Sequence, residues 1–138
     1  RDFFFEFLSK VPGKNWIILE AFLGEVRISS LLLIFNSDFI EYFTPVTVSQ
    51  YKHLNPLSLL IMHGFNFASK KGIKYWNWGG TWESQVGVYR FKKQWNPIET
   101  RYKYHSTVLK KSMLDVNPRK LMSAYPFFYI YPMSLTVG

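Results

Sequence analysis

Three apolar segments in succession constrain the fold of this chain more than any other feature. They lie within residues 15–48, NWIILEAFLGEVRISSLLLIFNSDFIEYFTPVTV, and are rich in Ile, Leu, Val and Phe. Gly-Glu at 24–25 and Asn-Ser-Asp at 36–38 separate them, and Gly, Asn and Asp adopt turn conformations that β-branched residues resist. The pattern predicts three strands in an antiparallel meander. Because Pro45 has no backbone N–H, we expect interrupted pairing or an open sheet edge there.

A strand-helix-strand unit is predicted next. Residues 55–72, NPLSLLIMHGFNFASKKG, place Asn55 at the N-cap, Pro56 at the first helical position and Gly72 after the last turn. Apolar residues recur at the three- and four-residue spacing of an amphipathic helix, namely Leu57, Leu60, Ile61, Phe65 and Ala68. Residues 73–78 predict a strand that ends at a glycine pair, residues 84–95 a second helix, and residues 100–106 a strand with one basic face.

This order of elements predicts an α/β (α+β) fold in a single domain over residues 1–138. We expect a mixed sheet, an antiparallel meander followed by a strand-helix-strand unit, with helices on both faces. Two strands that are joined by a crossover helix can lie parallel. If such strands start adjacent and then part, their ends open a cleft.

Charge and composition limit the function classes. Seventeen Lys and Arg against nine Asp and Glu give a net charge of +8, which favours phosphates, nucleic acid or acidic lipid headgroups as partners. The chain has no cysteine, which favours a cytoplasmic location and excludes disulfides, thiolate metal sites and Cys nucleophiles. The apolar runs are too short to span a bilayer, so we expect no membrane span. The three His lack paired ligand spacing, and we predict no metal site.

The stretch YWNWGGTWESQVGVYRFKKQW, residues 75–95, allows two interpretations. Aromatic faces among cations can stack on sugar rings or bases, which is the pattern of a non-catalytic glycan or nucleic-acid binding module. That module requires exposed tryptophans on one face, namely Trp76, Trp78, Trp82 and Trp95. Alternatively, the stretch is a buried strand, a glycine turn and an amphipathic helix whose aromatic residues pack in the core.

Two segments, KKGIKYWNWGG and GVYRFKKQW, together resemble a motif of the GNAT acyltransferase superfamily. Within it they are similar to the FemAB-like group, which includes peptidoglycan aminoacyltransferases and acetyltransferase-like proteins of the cellulose-biosynthesis (CelD/BcsL) type. The matching positions are Gly72, Gly79, Gly80, Gly87, the pair Phe91-Lys92 and Trp95. The group commonly has Gly after that aromatic residue, where this chain has Asn96-Pro97. The resemblance covers about residues 15–109, and implies that residues 1–11 end a helix of an N-terminally truncated domain.

The resemblance implies an N-acyltransferase in which an amine attacks an acyl donor in the cleft between the parted strands. The implied donor is acetyl-CoA or another acyl-CoA, and the acceptor is an amine of a small molecule or a cell-envelope precursor. The alternative is a FemAB-type aminoacyltransferase of cell-wall precursors whose donor is aminoacyl-tRNA, so nucleic acid is a partner only in that case. An exposed sheet edge leaves a homodimer open.

The resemblance also suggests where the site residues lie. Main-chain donors of the third strand would hold the donor's amide arm, and the amino end of the long helix would receive phosphates, although a Gln/Arg-x-x-Gly-x-Gly/Ala loop is absent. The expected cofactor-binding residues are Thr44, Val46, Val48, Ser49, Lys52, Asn77, Gly79, Gly80 and Gly87. Lys92 is expected to stabilise negative charge, Glu83 or His105 to accept a proton, and Tyr104 to act as a general acid. Each of these side chains also has an ordinary alternative as a solvated or packing residue.

Overall fold

The computed structural model describes residues 2–81 and 85–102, and the single residues 109, 110, 112, 117 and 120. The elements are α1 (Asp2–Ser9), β1 (Trp16–Leu23), β2 (Val26–Phe35), β3 (Phe39–Thr47), α2 (Pro56–Lys70), β4 (Tyr75–Asn77) and α3 (Val86–Lys93), with short 3-10 helices at Pro12–Lys14 and Ser49–Leu54. The chain divides into two compact units, Arg1–Pro97 and Ile98–Gly138, and all of these elements belong to the first. No helix in the described ranges has the length and apolarity needed to cross a bilayer.

The four strands form one mixed sheet in the order β1-β2-β3-β4. Neighbours among β1, β2 and β3 are antiparallel, whereas β4 lies parallel to β3. The predicted turns join the antiparallel strands: Gly24 has a φ of +60°, and Asn36 Oδ1 accepts the N–H groups of Asp38 and Phe39 at 2.9 and 2.8 Å. The predicted meander and strand-helix-strand unit are thereby confirmed.

Helix α2 packs its apolar stripe against one face of this sheet. Leu60, Ile61 and Ala68 are buried, and the other two residues of the predicted stripe, Leu57 and Phe65, are partly buried against the same core. The sheet side of this core comes from Ala21, Ile28, Leu31, Leu33, Ile40 and Tyr42. Helix α1 contacts the sheet separately, where Phe7 stacks on Phe43 with the ring centroids 5.4 Å apart.

The two ends of α2 differ in how well the sequence predicts them. At the amino end Asn55 has a φ of +51° and its side chain makes no capping hydrogen bond, so the prediction of a side-chain cap is wrong. At the carboxyl end Gly72 has a φ of +71°, and the N–H of Ile73 donates to Ala68 O at 2.9 Å, which is a Schellman motif. Because this motif uses the N–H of Ile73, β4 begins at Tyr75 and is shorter than predicted.

Helix α3 lies within the predicted segment and ends at Lys93, and the left-handed residue Asn96 follows shortly after it. Asn96 has a φ of +50°, in the left-handed region that Gly adopts most readily and Asn next. The N–H of Asn96 donates to Lys93 O at 3.0 Å. Asn96 therefore adopts a left-handed backbone conformation that a glycine would also allow.

The tryptophans of residues 75–95 that the structure describes are core residues. Trp76, Trp78 and Trp95 are partly buried, and their rings surround Phe65 with centroid distances of 4.6, 6.2 and 5.5 Å. This arrangement contradicts an exposed stacking platform made by these three residues. Trp82 and most of the strand predicted at 100–106 lie outside the described residues.

Gly64 lets β4 approach α2 closely. A Cβ atom at this position would lie 2.8 Å from Trp76 Cη2 and 3.0 Å from Leu33 Cδ1. Both neighbours are core side chains that are packed on several sides, so neither can move away freely. Gly64 is therefore required by packing.

We expect Gly64→Ala to lower the free energy of unfolding by about 1–3 kcal/mol, because it overpacks the contact with Trp76 and Leu33. Gly87→Ala is the matched control: it also lies in a helix, but a Cβ there would meet nothing within 4 Å. We expect this control to be neutral or to stabilise by up to about 1 kcal/mol, since Ala has the higher helix propensity. Urea unfolding of both variants measures the difference, and equal effects would contradict the close-packing argument.

Candidate active site

Strands β3 and β4 are paired over only three residues. The partners are Phe39 with Tyr75, Ile40 with Trp76 and Glu41 with Asn77. Strand β3 continues to Thr47 along β2, and within the described ranges no strand pairs with its other edge beyond Glu41. A register shift against β2 leaves Phe43 without a partner at the same level, and such bulges occur often beside active sites. The pairing of the two parallel strands thus ends at Glu41 and Asn77, where β4 ends, and the edge of β3 beyond this point is open among the described residues.

The N–H groups of Thr44, Val46 and Val48 are expected from the sequence to face the cofactor, but in the structure these N–H groups face β2. The N–H of Val48 donates to Ile28 O at 3.0 Å, so it belongs to the sheet and is not available to a cofactor. Backbone groups alternate in direction along a strand, so the N–H groups of Thr44 and Val46 point toward β2 as well. The same alternation directs Pro45 and Thr47 to the opposite edge. The missing N–H of Pro45 therefore lies on the open edge, where Thr47 provides the donor.

A tight turn of Trp78, Gly79 and Gly80 follows the end of β4. Gly79 has a φ of +65°, and its N–H donates to Asn77 Oδ1 at 3.0 Å. Lys92 of α3 holds the same turn from the other side, because its Nζ donates to the carbonyl oxygens of Trp78 at 2.6 Å, Gly80 at 3.2 Å and Gly79 at 3.4 Å. A lysine has three N–H donors, and here all three are directed at the carbonyl oxygens of the turn.

Glu41 lies beside this turn. A Cβ atom on Gly79 would be 3.3 Å from Glu41 Oε1, and Asn77 is the direct partner of Glu41 in the parallel pairing. Burial raises the pKa of Glu41, while a hydrogen bond from the Asn77 side chain and the charge of Lys92 lower it by less. Burial likewise lowers the pKa of Lys92, and Glu41 partly restores it. A carboxylate whose pKa is raised toward neutrality is suited to accept a proton.

Tyr42 is next to Glu41 in sequence but has a different environment. Its side chain belongs to the buried core and its ring lies 5.3 Å from that of Trp78. Burial raises the pKa of Tyr42 to about 12, so its hydroxyl keeps its proton at neutral pH. Tyr42 therefore serves the core, and Glu41 is the titratable side chain of β3 at the point where its pairing with β4 ends.

The structure brings together four of the predicted site residues, namely Asn77, Gly79, Gly80 and Lys92, and adds Glu41. In the sequence Glu41 is a polar residue within a largely apolar strand, and nothing marks it as a site residue. Its partners become known only from the register of β3 with β4. Ser49 and Lys52 are exposed in the 3-10 helix between β3 and α2, and Gly87 is exposed in the first turn of α3. Glu83, Tyr104 and His105 lie outside the described residues.

Comparison with known proteins identifies the family. Residues 19–103 match the model of the FemAB family, which is more than half of the chain. The chain belongs to the FemAB family. No curated protein matches the sequence of this family member significantly. The motif made by Gly79, Gly80, Phe91 and Lys92 lies within the matched residues.

Solved structures share the fold of this FemAB-like domain. Two crystal structures of an aminoglycoside acetyltransferase from an uncultured soil metagenomic sample, one with trehalose and one with sisomicin, each match with a TM-score of 0.61. In both comparisons the sequence identity is 15%, and the match covers 76% of this chain and 74% of the acetyltransferase. At this identity the likeness establishes the shared fold, and it agrees with the mixed sheet described above.

We expect Glu41→Gln to stabilise the protein more at pH 7.5 than at pH 4, relative to the unsubstituted chain. The folded state binds the Glu41 proton more tightly than the unfolded state, so this carboxyl favours folding at low pH. That contribution is lost as the pH rises through its raised pKa. Gln does not titrate, so the variant does not lose this contribution to the free energy of unfolding as the pH rises. The effect should stay below about 1 kcal/mol, because water screens a half-buried group.

Urea unfolding at both pH values measures this difference, with Glu20→Gln as the control. Glu20 forms a surface ion pair with Arg27 on the antiparallel part of the sheet, and its removal should give no gain at neutral pH. An effect of Glu41→Gln that is equal at pH 4 and pH 7.5 would rule out a raised pKa at Glu41.

Proposed function

We propose that this chain is an N-acyltransferase that moves an acyl group from an acyl-CoA thioester, such as acetyl-CoA, to an amine. The observation that carries the proposal is the end of the β3-β4 pairing at Glu41 and Asn77, where a half-buried carboxylate meets a turn held by Lys92. FemAB membership and the fold shared with an acetyltransferase support it. The acceptor class that we propose is an amine on a sugar or on a cell-envelope precursor, with the reaction taking place in the cytoplasm.

The open edge of β3 offers a place for the amide arm of the donor. Thr47 directs its N–H to that edge. This N–H can donate to an amide carbonyl of the acyl donor in the same way that it would donate to a neighbouring strand. Beyond Thr47 the chain passes through Ser49–Leu54 to the amino end of α2, whose Asn55 makes no side-chain cap. The partial positive charge of a helix amino end, together with the exposed Lys52, favours phosphate groups.

The reaction requires one proton acceptor and stabilisation of negative charge. The amine nitrogen attacks the thioester carbonyl carbon and forms a C–N bond, and Glu41 takes the proton that the nitrogen loses. The tetrahedral intermediate then breaks its C–S bond, and the departing thiolate takes up a proton to leave as the free thiol of coenzyme A. Since Lys92 uses its N–H groups on the turn, it acts on the developing oxyanion through its charge and by fixing the turn.

Aminoacyl-tRNA is the second candidate donor. Two observations favour it: membership of the FemAB family and a net charge of +8, which suits binding to a nucleic-acid backbone. The same attack on an ester carbonyl would then release the tRNA hydroxyl in place of a thiol. The two donors differ in the size of the leaving group and in the salt dependence of binding, and an experiment can separate them.

The test is a transfer assay with acetyl-CoA and with alanyl-tRNA as donors, and with sisomicin, glucosamine and a lysine-containing peptide as acceptors. We expect thiol release with acetyl-CoA and an amine, and a loss of about 10²-fold in kcat for Lys92→Met and for Glu41→Gln. Lys93→Met is the matched control, because it removes the same charge from the adjacent, exposed position of α3, whereas the bonds to the turn carbonyls come from Lys92. This control should retain the activity of the unsubstituted chain.

A thermal-shift titration distinguishes the outcomes. Acetyl-CoA at a hundred times its Kd would stabilise the folded state by about 2.7 kcal/mol, and ATP serves as the ligand control. Transfer only from alanyl-tRNA, with binding that weakens steeply with salt, would replace the first donor by the second. Absence of transfer from either donor, or equal activity of Lys92→Met and Lys93→Met, would contradict the proposed site.

A further inference from the structure

We propose that Asn77 is a positioning residue whose carboxamide fixes Glu41 and the Gly79 turn to each other. The cross-strand register makes Asn77 the direct partner of Glu41 across the parallel pair. Trp76 and Trp78, on either side of Asn77, pack in the core. Since side chains alternate along a strand, Asn77 and Glu41 project together from the opposite face.

The chemistry of the amide decides which atom meets which partner. Asn77 Oδ1 accepts the N–H of Gly79 at 3.0 Å, and only this oxygen can accept. An ionised carboxylate only accepts hydrogen bonds, so, with Oδ1 bound to Gly79, Nδ2 is the group that Asn77 can offer to Glu41, its partner in the register. A flip of the amide would break both contacts at once. Asn77 thereby links the turn that Lys92 binds to the carboxylate that we propose as the proton acceptor.

The environment of Glu41 makes this link measurable. The groups facing it are the Asn77 amide from β4, the charge of Lys92 from α3 and the backbone of Gly79, where a Cβ would be 3.3 Å from Oε1. The Asn77 hydrogen bond stabilises the carboxylate form and therefore lowers the pKa of Glu41 against the effect of burial. Removal of Nδ2 must raise that pKa, whereas a residue that only shapes a turn would leave it unchanged.

A matched control exists in the same sheet. Asn36 makes the same kind of turn, since its Oδ1 accepts the N–H groups of Asp38 and Phe39, at the other end of β3. Asn36→Ala thus removes a comparable backbone contact without touching Glu41. A difference between Asn77→Ala and Asn36→Ala at Glu41 isolates the contact made by Asn77 Nδ2.

The experiment is a carbon-13 NMR titration of the Glu41 carboxyl, assigned with Glu41→Gln. Asn77→Ala should raise the pKa of Glu41, and Asn77→Asp should raise it further, because Asp keeps an acceptor for Gly79 N–H but puts a second carboxylate in place of the donor. Asn36→Ala should leave the Glu41 pKa unchanged. If Asn77→Ala does not fold, Asn77→Asp still tests the link because it preserves the turn. An unchanged Glu41 pKa in either folded Asn77 variant would overturn the proposal.

A kinetic readout deepens this test and rests on the proposed function. If Glu41 accepts the proton, the acidic limb of the pH profile of kcat/KM should move upward by the same amount as the NMR pKa. A shift of one pH unit corresponds to a loss of about tenfold in kcat/KM below both values. An NMR shift in a chain without acyl transfer would uphold the positioning role and defeat the proposed function. Active variants whose Glu41 pKa moves by NMR while the acidic limb stays in place would uphold the positioning role and defeat the role of Glu41 as proton acceptor.

Discussion

The close approach of Trp76 to Gly64 determines where β4 lies, and the site depends on it. Strand β4 has three residues in the sheet, too few for its backbone hydrogen bonds to fix it alone. Its position comes from side chains: Trp76 packs edge-on against Phe65 at 4.6 Å, and Gly64 gives the indole the space to reach α2. Asn77 is consequently placed opposite Glu41 by packing of the residues beside it.

The core and the site therefore use side chains on opposite faces of the same short strand, β4. Trp76 and Trp78 project into the core beneath α2, and the residue between them projects from the opposite face, where the pairing of the two parallel strands ends. A change in the core that rotates β4 must also move Asn77 and the turn at Gly79. This coupling explains how a site with half-exposed groups keeps a defined geometry, because aromatic residues packed against the core hold the strand that carries it.

The sequence predicts those features that depend on local chemistry. Turn residues predicted the meander, Gly72 predicted the end of α2, and the glycine pair predicted where β4 ends. Features that depend on pairing between distant residues were not predictable in this way. The direction of each backbone group in β3 changes with a shift of one residue, and therefore Thr47 and not Val48 faces the open edge. Glu41 was missed for the same reason, since its neighbours come from β4 and α3.

Lys92 illustrates how a residue that the sequence singles out can have contacts that the sequence does not indicate. From the sequence, Lys92 is expected to stabilise negative charge, and its N–H groups have no assigned partners. In the structure its N–H groups donate to carbonyl oxygens of the turn. These hydrogen bonds fix the position of the charge in the absence of a substrate. In the proposed reaction, a fixed charge would need no reorganisation when an oxyanion develops, and its stabilisation would be larger than that of a solvated lysine. The glycine turn therefore serves to hold a cation as well as to end a strand, and Asn77 ties that turn to Glu41.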